Sequence, residues 1–338
     1  QYGEVSEKTP DLYNSFGYIH YKQGEYDKAL EYYNKALTIR KSICGESNPD
    51  VVATCYNNIG AVYKLKGDFN QALINSTKAL EIQQNLLGEQ HPDTATTHNT
   101  ISGILYQLGK LDESKNHLIK TISVREKTLG KINSTTAGSY IDLGSFYKTM
   151  GDLEQARFYY EQALKLNQKI WGNDHIKTAS SYSHIGTILY LESDFCSALK
   201  YYQKAYRIWK KEMGLKYRGS AISLNNIGLT YYKLKDYKKA LKYLEKAKEI
   251  IIELLGNDHP LLAASYNNIG RIYSITENYP EALNLFNMAL KIRNEKQGEH
   301  HIKNDVSYYN IGKVYFKTGK YNLARDYCAK SLEIRRSV

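Results

Sequence analysis

Four asparagines, Asn58, Asn226, Asn268 and Asn310, hold the chemistry this sequence can offer most readily. A primary amide presents a carbonyl acceptor and two N–H donors, so it can bond the backbone of an extended peptide in either direction. Around three of them stand Leu229, Lys233, Arg271, Ile275, Lys313 and Lys317, four cations and two apolar residues with no acid interleaved. Such a set suits an extended acidic segment or a chain-terminal carboxylate. Each amide bond contributes only ~1 kcal/mol net, and micromolar affinity needs ~8 kcal/mol. Apolar contacts must therefore assist.

Catalytic chemistry finds no comparable support. No phosphate-cradling Gly-x-x-x-x-Gly-Lys-Ser/Thr run is present, and no catalytic constellation emerges. His91, His175, His259 and His301 recur at one loop position of a repeat, so repetition accounts for them, and the adjacent His300-His301 pair is weak evidence for a metal. Neither an enzyme nor a cofactor is expected. The four cysteines show no Cys-x-x-Cys spacing, which reads as reduced thiols in a cytoplasmic protein. No charged-then-apolar signal opens the sequence, and no apolar run approaches the roughly 18 residues that span a bilayer.

The elements that position these residues follow from repetition. Asn225-Asn226-Ile227-Gly228 returns as Asn267-Asn268-Ile269-Gly270, with weaker copies elsewhere. The anchors Gly17, Gly60, Ser102, Gly144, Gly186, Gly228, Gly270 and Gly312 are separated by 43 residues once and 42 six times. A period in that range marks an array in which each unit buries its apolar face against its neighbours. Relative to the anchor, apolar residues stand at −4, −1 and +3, with the anchor itself small: the stripe of an amphipathic helix. That leading helix stops at a glycine such as Gly67 or Gly151; a cap such as Asp68 or Asp236 starts a second helix, which carries alanines seven apart (Ala240 and Ala247, for example). The leading helix's opposite face, at −6, −2, +1 and +5, holds the asparagines and their neighbours. In the middle units it reads Gly103 and Gln107, then Gly138, Asp142, Ser145 and Thr149, then His184.

Helix-turn-helix units with aromatic–small–aromatic leading helices and paired alanines in the second resemble the tetratricopeptide repeat. Phrases such as Leu86-Leu87-Gly88-Glu89-Gln90-His91-Pro92-Asp93 are similar to its 42-residue, kinesin-light-chain-like subtype. The resemblance implies an all-α, right-handed superhelical α-solenoid of eight repeats, at about 10–45, 46–88, 89–130, 131–172, 173–214, 215–256, 257–298 and 299–338, whose leading helices line a concave groove. It also implies an adaptor role with a protein or peptide partner; asparagine at −2 serves the peptide backbone in similar proteins. The alternatives are a sensor or autoinhibitory module, with another part of the same protein filling the groove, and a kinesin-light-chain-like cargo adaptor. Gly3-Glu4 precedes Gly17 by the same fourteen residues as Gly298-Glu299 precedes Gly312, so 1–9 reads as the stump of a preceding repeat and the chain as an excerpt of a larger one.

The net charge of +11 is local. Between Lys200 and Lys248 fourteen Lys and Arg residues face three acids, and the rest of the sequence is neutral. Lys200, Lys204, Arg207 and Lys211 share one side of the fifth unit's second helix; Lys238, Lys239, Lys242 and Lys246 do so in the sixth. Second helices face the convex side, so this basic patch is separate from the groove, and without a base-reading motif nucleic acid is a minor reading.

Overall fold

The computed structural model describes residues 9–44, 49–299 and 301–336. All of its regular elements are helices, and they divide into two compact units at Ile170 and Trp171. The first unit holds α1 (Thr9–Gln23), α2 (Tyr26–Cys44), α3 (Pro49–Lys66), α4 (Phe69–Leu87), α5 (Pro92–Gln107), α6 (Leu111–Thr128), α7 (Ser134–Thr149) and α8 (Leu153–Trp171). The second holds α9 (Ile176–Leu191), α10 (Phe195–Met213), α11 (Arg218–Lys233), α12 (Tyr237–Leu255), α13 (Pro260–Ile275), α14 (Tyr279–Gln297), α15 (Asn304–Lys317) and α16 (Tyr321–Arg336). Odd-numbered helices are the leading helices of the eight repeats. Tyr2-Gly3-Glu4, Gly45 and His300 lie outside the described residues.

Seven of the eight pairs are closed by an anchor glycine, Ser102 standing there in the third repeat. A Cβ on Gly144 would fall 2.8 Å from the Tyr160 ring, and on Gly270 2.7 Å from the Phe286 ring, both distances that real side chains do not tolerate. The knob always comes sixteen residues after the anchor: Tyr33, Ser76, Tyr160, Tyr202, Leu244, Phe286 and Cys328 meet their glycines in this way. The second-helix alanines on either side of the knob, among them Ala156, Ala163, Ala240 and Ala247, are 0% exposed. In the third repeat Ser114 and Thr121 replace them. A buried hydroxyl needs a partner, and each finds a carbonyl, Ser114 that of Ser102 at 2.8 Å and Thr121 that of Ala95 at 3.2 Å.

The helix ends follow the sequence expectation and add to it. Asp68, Asp152, Asp194, Asp236 and Asn278 accept the backbone N–H three residues on, at 3.0–3.5 Å. Gly67, Gly109 and Gly151 end leading helices in the left-handed region; Ser193, Lys235 and Glu277 hold the same conformation there in the fifth to seventh repeats. His91, His175 and His259 cap leading helices, each Nδ1 accepting the N–H two residues on at 3.1–3.2 Å; His301 makes the same bond to Lys303, just before α15. A recurring imidazole thus does the work usually given to Ser or Asp.

Tyrosine's abundance has a place too. Positions −4 and +15 pair aromatic rings in Tyr13–Tyr32, Tyr140–Tyr159, Tyr182–Tyr201 and Tyr308–Tyr327, with centroids 5.9–6.2 Å apart. Lysines lie over several of these rings, Lys204 over both Tyr182 and Tyr201 and Lys330 over both Tyr308 and Tyr327. In the third repeat the pair is His98 and His117, whose Nδ1 atoms are 2.8 Å apart. Among the described residues no helix is long and apolar enough to cross a membrane.

Candidate functional site

Successive leading helices are neighbours within each unit, and asparagines join them. The joining residue stands at −3, one position before the asparagines singled out in the sequence. Asn57 donates to the Thr97 hydroxyl at 3.1 Å, Asn99 to the Asp142 carboxylate at 3.2 Å, and Asn267 to the Ser307 hydroxyl at 2.8 Å. The two positions are separated by one helical step of about 100°, enough to turn −3 toward the next repeat and leave −2 on the open face.

The four −2 asparagines are half-buried on that face and differ in their commitments. Asn268 donates to Asn225 at 3.1 Å, and Asn225 donates to Asn226 at 3.4 Å, so these two amides are partly engaged between repeats. Asn310 has a buried side-chain nitrogen with no hydrogen-bond partner. Asn58 lies in the first unit, apart from the others.

A cleft of about 270 Å³ opens between α13 and α15, lined by Tyr232, Arg271, Ile275, Asn310, Lys313 and Lys317 among others. Five residues expected to act together from their spacing therefore do meet, and no acid lines the cleft. Arg271 is held in place: its guanidinium lies 4.8 Å over the Tyr232 ring and donates to the Tyr232 hydroxyl at 3.3 Å. Lys317 reaches the Ser274 carbonyl at 3.4 Å, and Lys313 is exposed with no ion pair among the described residues. The walls thus give Arg271 and Lys317 partners and leave Lys313 exposed. Leu229 is half-buried against the core of repeats six and seven, and Lys233 is exposed; neither lines the cleft.

One repeat earlier on the same face lies a smaller hollow of about 100 Å³, lined by Arg218, Ile222, Leu254, Leu255, Leu261 and Ala264 among others. Ile222 and Ala264 are face positions recognisable in the sequence. The leucines at the end of α12 and start of α13 were not, because their role depends on how the interrepeat turn folds back over the face.

The first unit has its own cavity on the equivalent face, about 340 Å³, whose lining includes Lys64, Asn99, Gly103, Gln107, Asp142 and Thr149. Asp142 is open to solvent, yet enough protein surrounds it to push its carboxyl above the ordinary value; the Asn99 amide, Arg125 and Lys64 work against that rise. Arg125 itself is turned aside, its guanidinium donating to the Ser139 and Thr96 hydroxyls at 2.6 and 3.3 Å.

Lys200, Lys204, Arg207 and Lys211 on α10, with Lys238, Lys239, Lys242 and Lys246 on α12, are all exposed and line neither cavity of the leading-helix face. Lys239 pairs with Asp236 at 2.8 Å and Lys211 with Glu212 at 3.6 Å, whereas Lys200, Arg207, Lys238, Lys242 and Lys246 have no ion pair among the described residues.

Comparison with known proteins agrees with this architecture. The sequence profiles described as Tetratricopeptide repeat match residues 8–75, 51–127, 135–211, 219–295 and 306–337. No curated protein sequence matches the chain. Among solved structures, the apo form of the quorum sensor NprR from B. thuringiensis is 13% identical with a TM-score of 0.75, over 99% of this chain and 89% of that one. BtubC (BKLC) from P. vanneervenii is 20% identical with a TM-score of 0.57, over 67% and 91%. A putative kinesin light chain with TPR-like repeats from Podosopora anserina is 18% identical with a TM-score of 0.51, over 61% and 97%. These likenesses concern the fold.

Proposed function

The chain belongs to the tetratricopeptide repeat family, and from that premise we propose that it is a non-catalytic interaction scaffold whose leading-helix face binds an extended acidic peptide. The cleft between α13 and α15 carries this reading: Arg271, Lys313 and Lys317 converge on it and no acid lines it. The neighbouring apolar hollow supplies an anchor for one aliphatic side chain of the same peptide. A cytoplasmic setting belongs to the same proposal, since Cys196 and Cys328 are free and exposed and thiols persist where the compartment keeps them reduced.

Magnitudes set the affinity. Exposed ion pairs contribute about 0.2–1 kcal/mol each, two backbone bonds to the asparagines about 1 kcal/mol each, and one aliphatic side chain in the hollow about 2 kcal/mol. Their sum is about 6 kcal/mol, a Kd of tens of micromolar. A fluorescein-labelled hexapeptide with one leucine and several glutamates tests the reading. It is expected to bind in that range and to weaken as salt screens the charges. The Arg271→Ala/Lys313→Ala/Lys317→Ala variant is expected to lose about threefold to a hundredfold. Equal affinity in wild type and triple variant, or no saturation by 1 mM peptide, removes the proposal.

A further inference from the structure

The cavity of the first unit is built from different groups than the cleft of the second. Gly103 occupies the +1 position where Arg271 and Lys313 project in the seventh and eighth repeats, and removing the side chain opens the space. Asp142 stands on the wall of that space, at the −2 position held by asparagine in repeats two, six, seven and eight. Its one close partner among the described residues is the Asn99 amide at 3.2 Å; no cation lies within ion-pairing distance, since Arg125 is committed to two hydroxyls. The other end of the Asn99 side chain, Oδ1, is buried with no hydrogen-bond partner. Gln107 adds an amide and Thr149 a hydroxyl, and the rings of Tyr106 and Phe146, 6.2 Å apart and edge-to-face, also line it. The cavity thus holds one carboxylate without an ion pair and one cation, Lys64, beside Gly103.

A carboxylate crowded by protein without a counter-ion, and a buried carbonyl without a donor, are each unfavourable. The first shortage is removed by a group that carries positive charge and several N–H donors in a plane. A guanidinium matches this better than an ammonium: it can engage both carboxylate oxygens together, it is more weakly hydrated, and it stacks on aromatic faces. We propose that the cavity lined by Lys64, Asn99, Gly103 and Asp142 is a subsite for an arginine side chain of a bound peptide, with Asp142 as its counter-ion. The raised Asp142 carboxyl agrees with this, because a cation in the cavity restores the charged form. The inference rests on the leading-helix face being a peptide-binding surface, but it stands or falls apart from the acidic-peptide reading.

Three capped tripeptides test it on the full chain by calorimetry or NMR titration: N-acetyl-Gly-Arg-Gly-amide, its lysine counterpart and its glutamate counterpart. The arginine peptide is expected to bind with a low-millimolar Kd, the lysine peptide several-fold more weakly, and the glutamate peptide without saturation. Asp142→Asn is expected to weaken the arginine peptide at least tenfold. Lys64→Met is expected to tighten it two- to fivefold by removing a like charge, so the two variants move in opposite directions. Affinity should also fall as the pH drops and Asp142 takes up a proton. Asp142→Asn should leave the acidic hexapeptide unaffected, whereas the triple variant of the second unit should leave the arginine peptide unaffected. No saturation by 20 mM arginine peptide overturns the proposal, as does equal binding by wild type and Asp142→Asn.

Discussion

The cavity of repeats three and four and the cleft of repeats seven and eight are the same place in two copies of one design. Each is made from positions −2, +1 and +5 of two successive leading helices. In the first unit those positions hold Asp142, Gly103, Ser145, Gln107 and Thr149; in the second they hold Asn310, Arg271, Lys313, Ile275 and Lys317. The frame behind them hardly changes, since Gly144 packs on Tyr160 as Gly270 packs on Phe286. Packing fixes one side of the helix and leaves the other free to vary. One scaffold can thus offer a carboxylate at one site and three cations at another.

Substituting glycines separates frame from face most sharply. Gly144→Leu and Gly270→Leu drive a side chain into the knob and into the helix backbone, where Ala156 O is 3.2 Å from the Gly144 Cβ position. Each is expected to cost about 3 kcal/mol or more, beyond ordinary overpacking, seen as a large drop in Tm. Gly103 and Gly138 sit on the open side of the same leading-helix type. A Cβ on Gly138 meets nothing within 4 Å, and one on Gly103 meets the mobile end of Lys64 at 3.1 Å. Gly138→Ala is therefore expected to stabilise by ~0.5–1 kcal/mol through helix propensity, with Gly103→Ala near neutral. Similar losses at anchor and face would refute the division between them.

Much of this division was readable in the sequence. The 42-residue spacing located every anchor, and the amphipathic period located the open face, including Arg271, Asn310, Lys313 and Lys317. Other features resisted for a physical reason. The residue sixteen after the anchor changes from Tyr160 to Leu244 to Cys328, so neither size nor type recurs, only the contact with the glycine, and no consensus marks it. The choice between −3 and −2 as the cross-repeat asparagine depends on the tilt of neighbouring helices, which periodicity alone does not carry. Asp142 was visible as a departure from the asparagine row; the cavity beside it and its missing counter-ion were not, because Arg125 comes from a second helix and its direction is a matter of packing. His98 and His117 are nineteen residues apart and meet through the −4/+15 contact that aromatic pairs make elsewhere.

That histidine pair gives the first unit a response to acid that the second unit's aromatic pairs lack. His98 is 1% exposed, and burial together with the facing His117 depresses its pKa to about 4; Glu89, 3.7 Å away, opposes this, and Lys120 adds to it. His117 is lowered as well, chiefly by burial. An unfolded His98 takes up its proton near its ordinary value of 6.5, before the folded one does, so the unfolded state binds more protons between the two values. Stability contributed by neutral His98 is therefore full above about pH 6.5 and is lost as the pH falls toward 4, a change of roughly 2–3 kcal/mol. Hydrogen exchange at pH 7 and 4.5, corrected for intrinsic rates, should show α5 and α6 losing protection before α13 and α14. His98→Tyr/His117→Tyr, which installs the ring pair of repeats one, four, five and eight, should cancel that difference. Equal acid response in wild type and double variant would show that the pair does not govern it.

The smallest contrast lies at the ends of the leading helices. Repeats one to four stop theirs on Gly24, Gly67, Gly109 and Gly151, with φ of 75–83°. Repeats five to seven use Ser193, Lys235 and Glu277 at φ of 62–66°, where a Cβ crowds the following carbonyl. Lys235→Gly and Glu277→Gly relieve that strain, although glycine also gains freedom in the unfolded chain, so a net gain of about 0.5 kcal/mol each is expected. Gly109→Ala and Gly151→Ala introduce the same strain into the first unit and should cost about 1 kcal/mol each. Denaturant midpoints of the four variants read the sign directly. Opposite signs would show that the second unit carries a tolerated penalty at its turns; equal signs would mean that the side chains of Lys235 and Glu277 contribute there more than their backbone conformation costs.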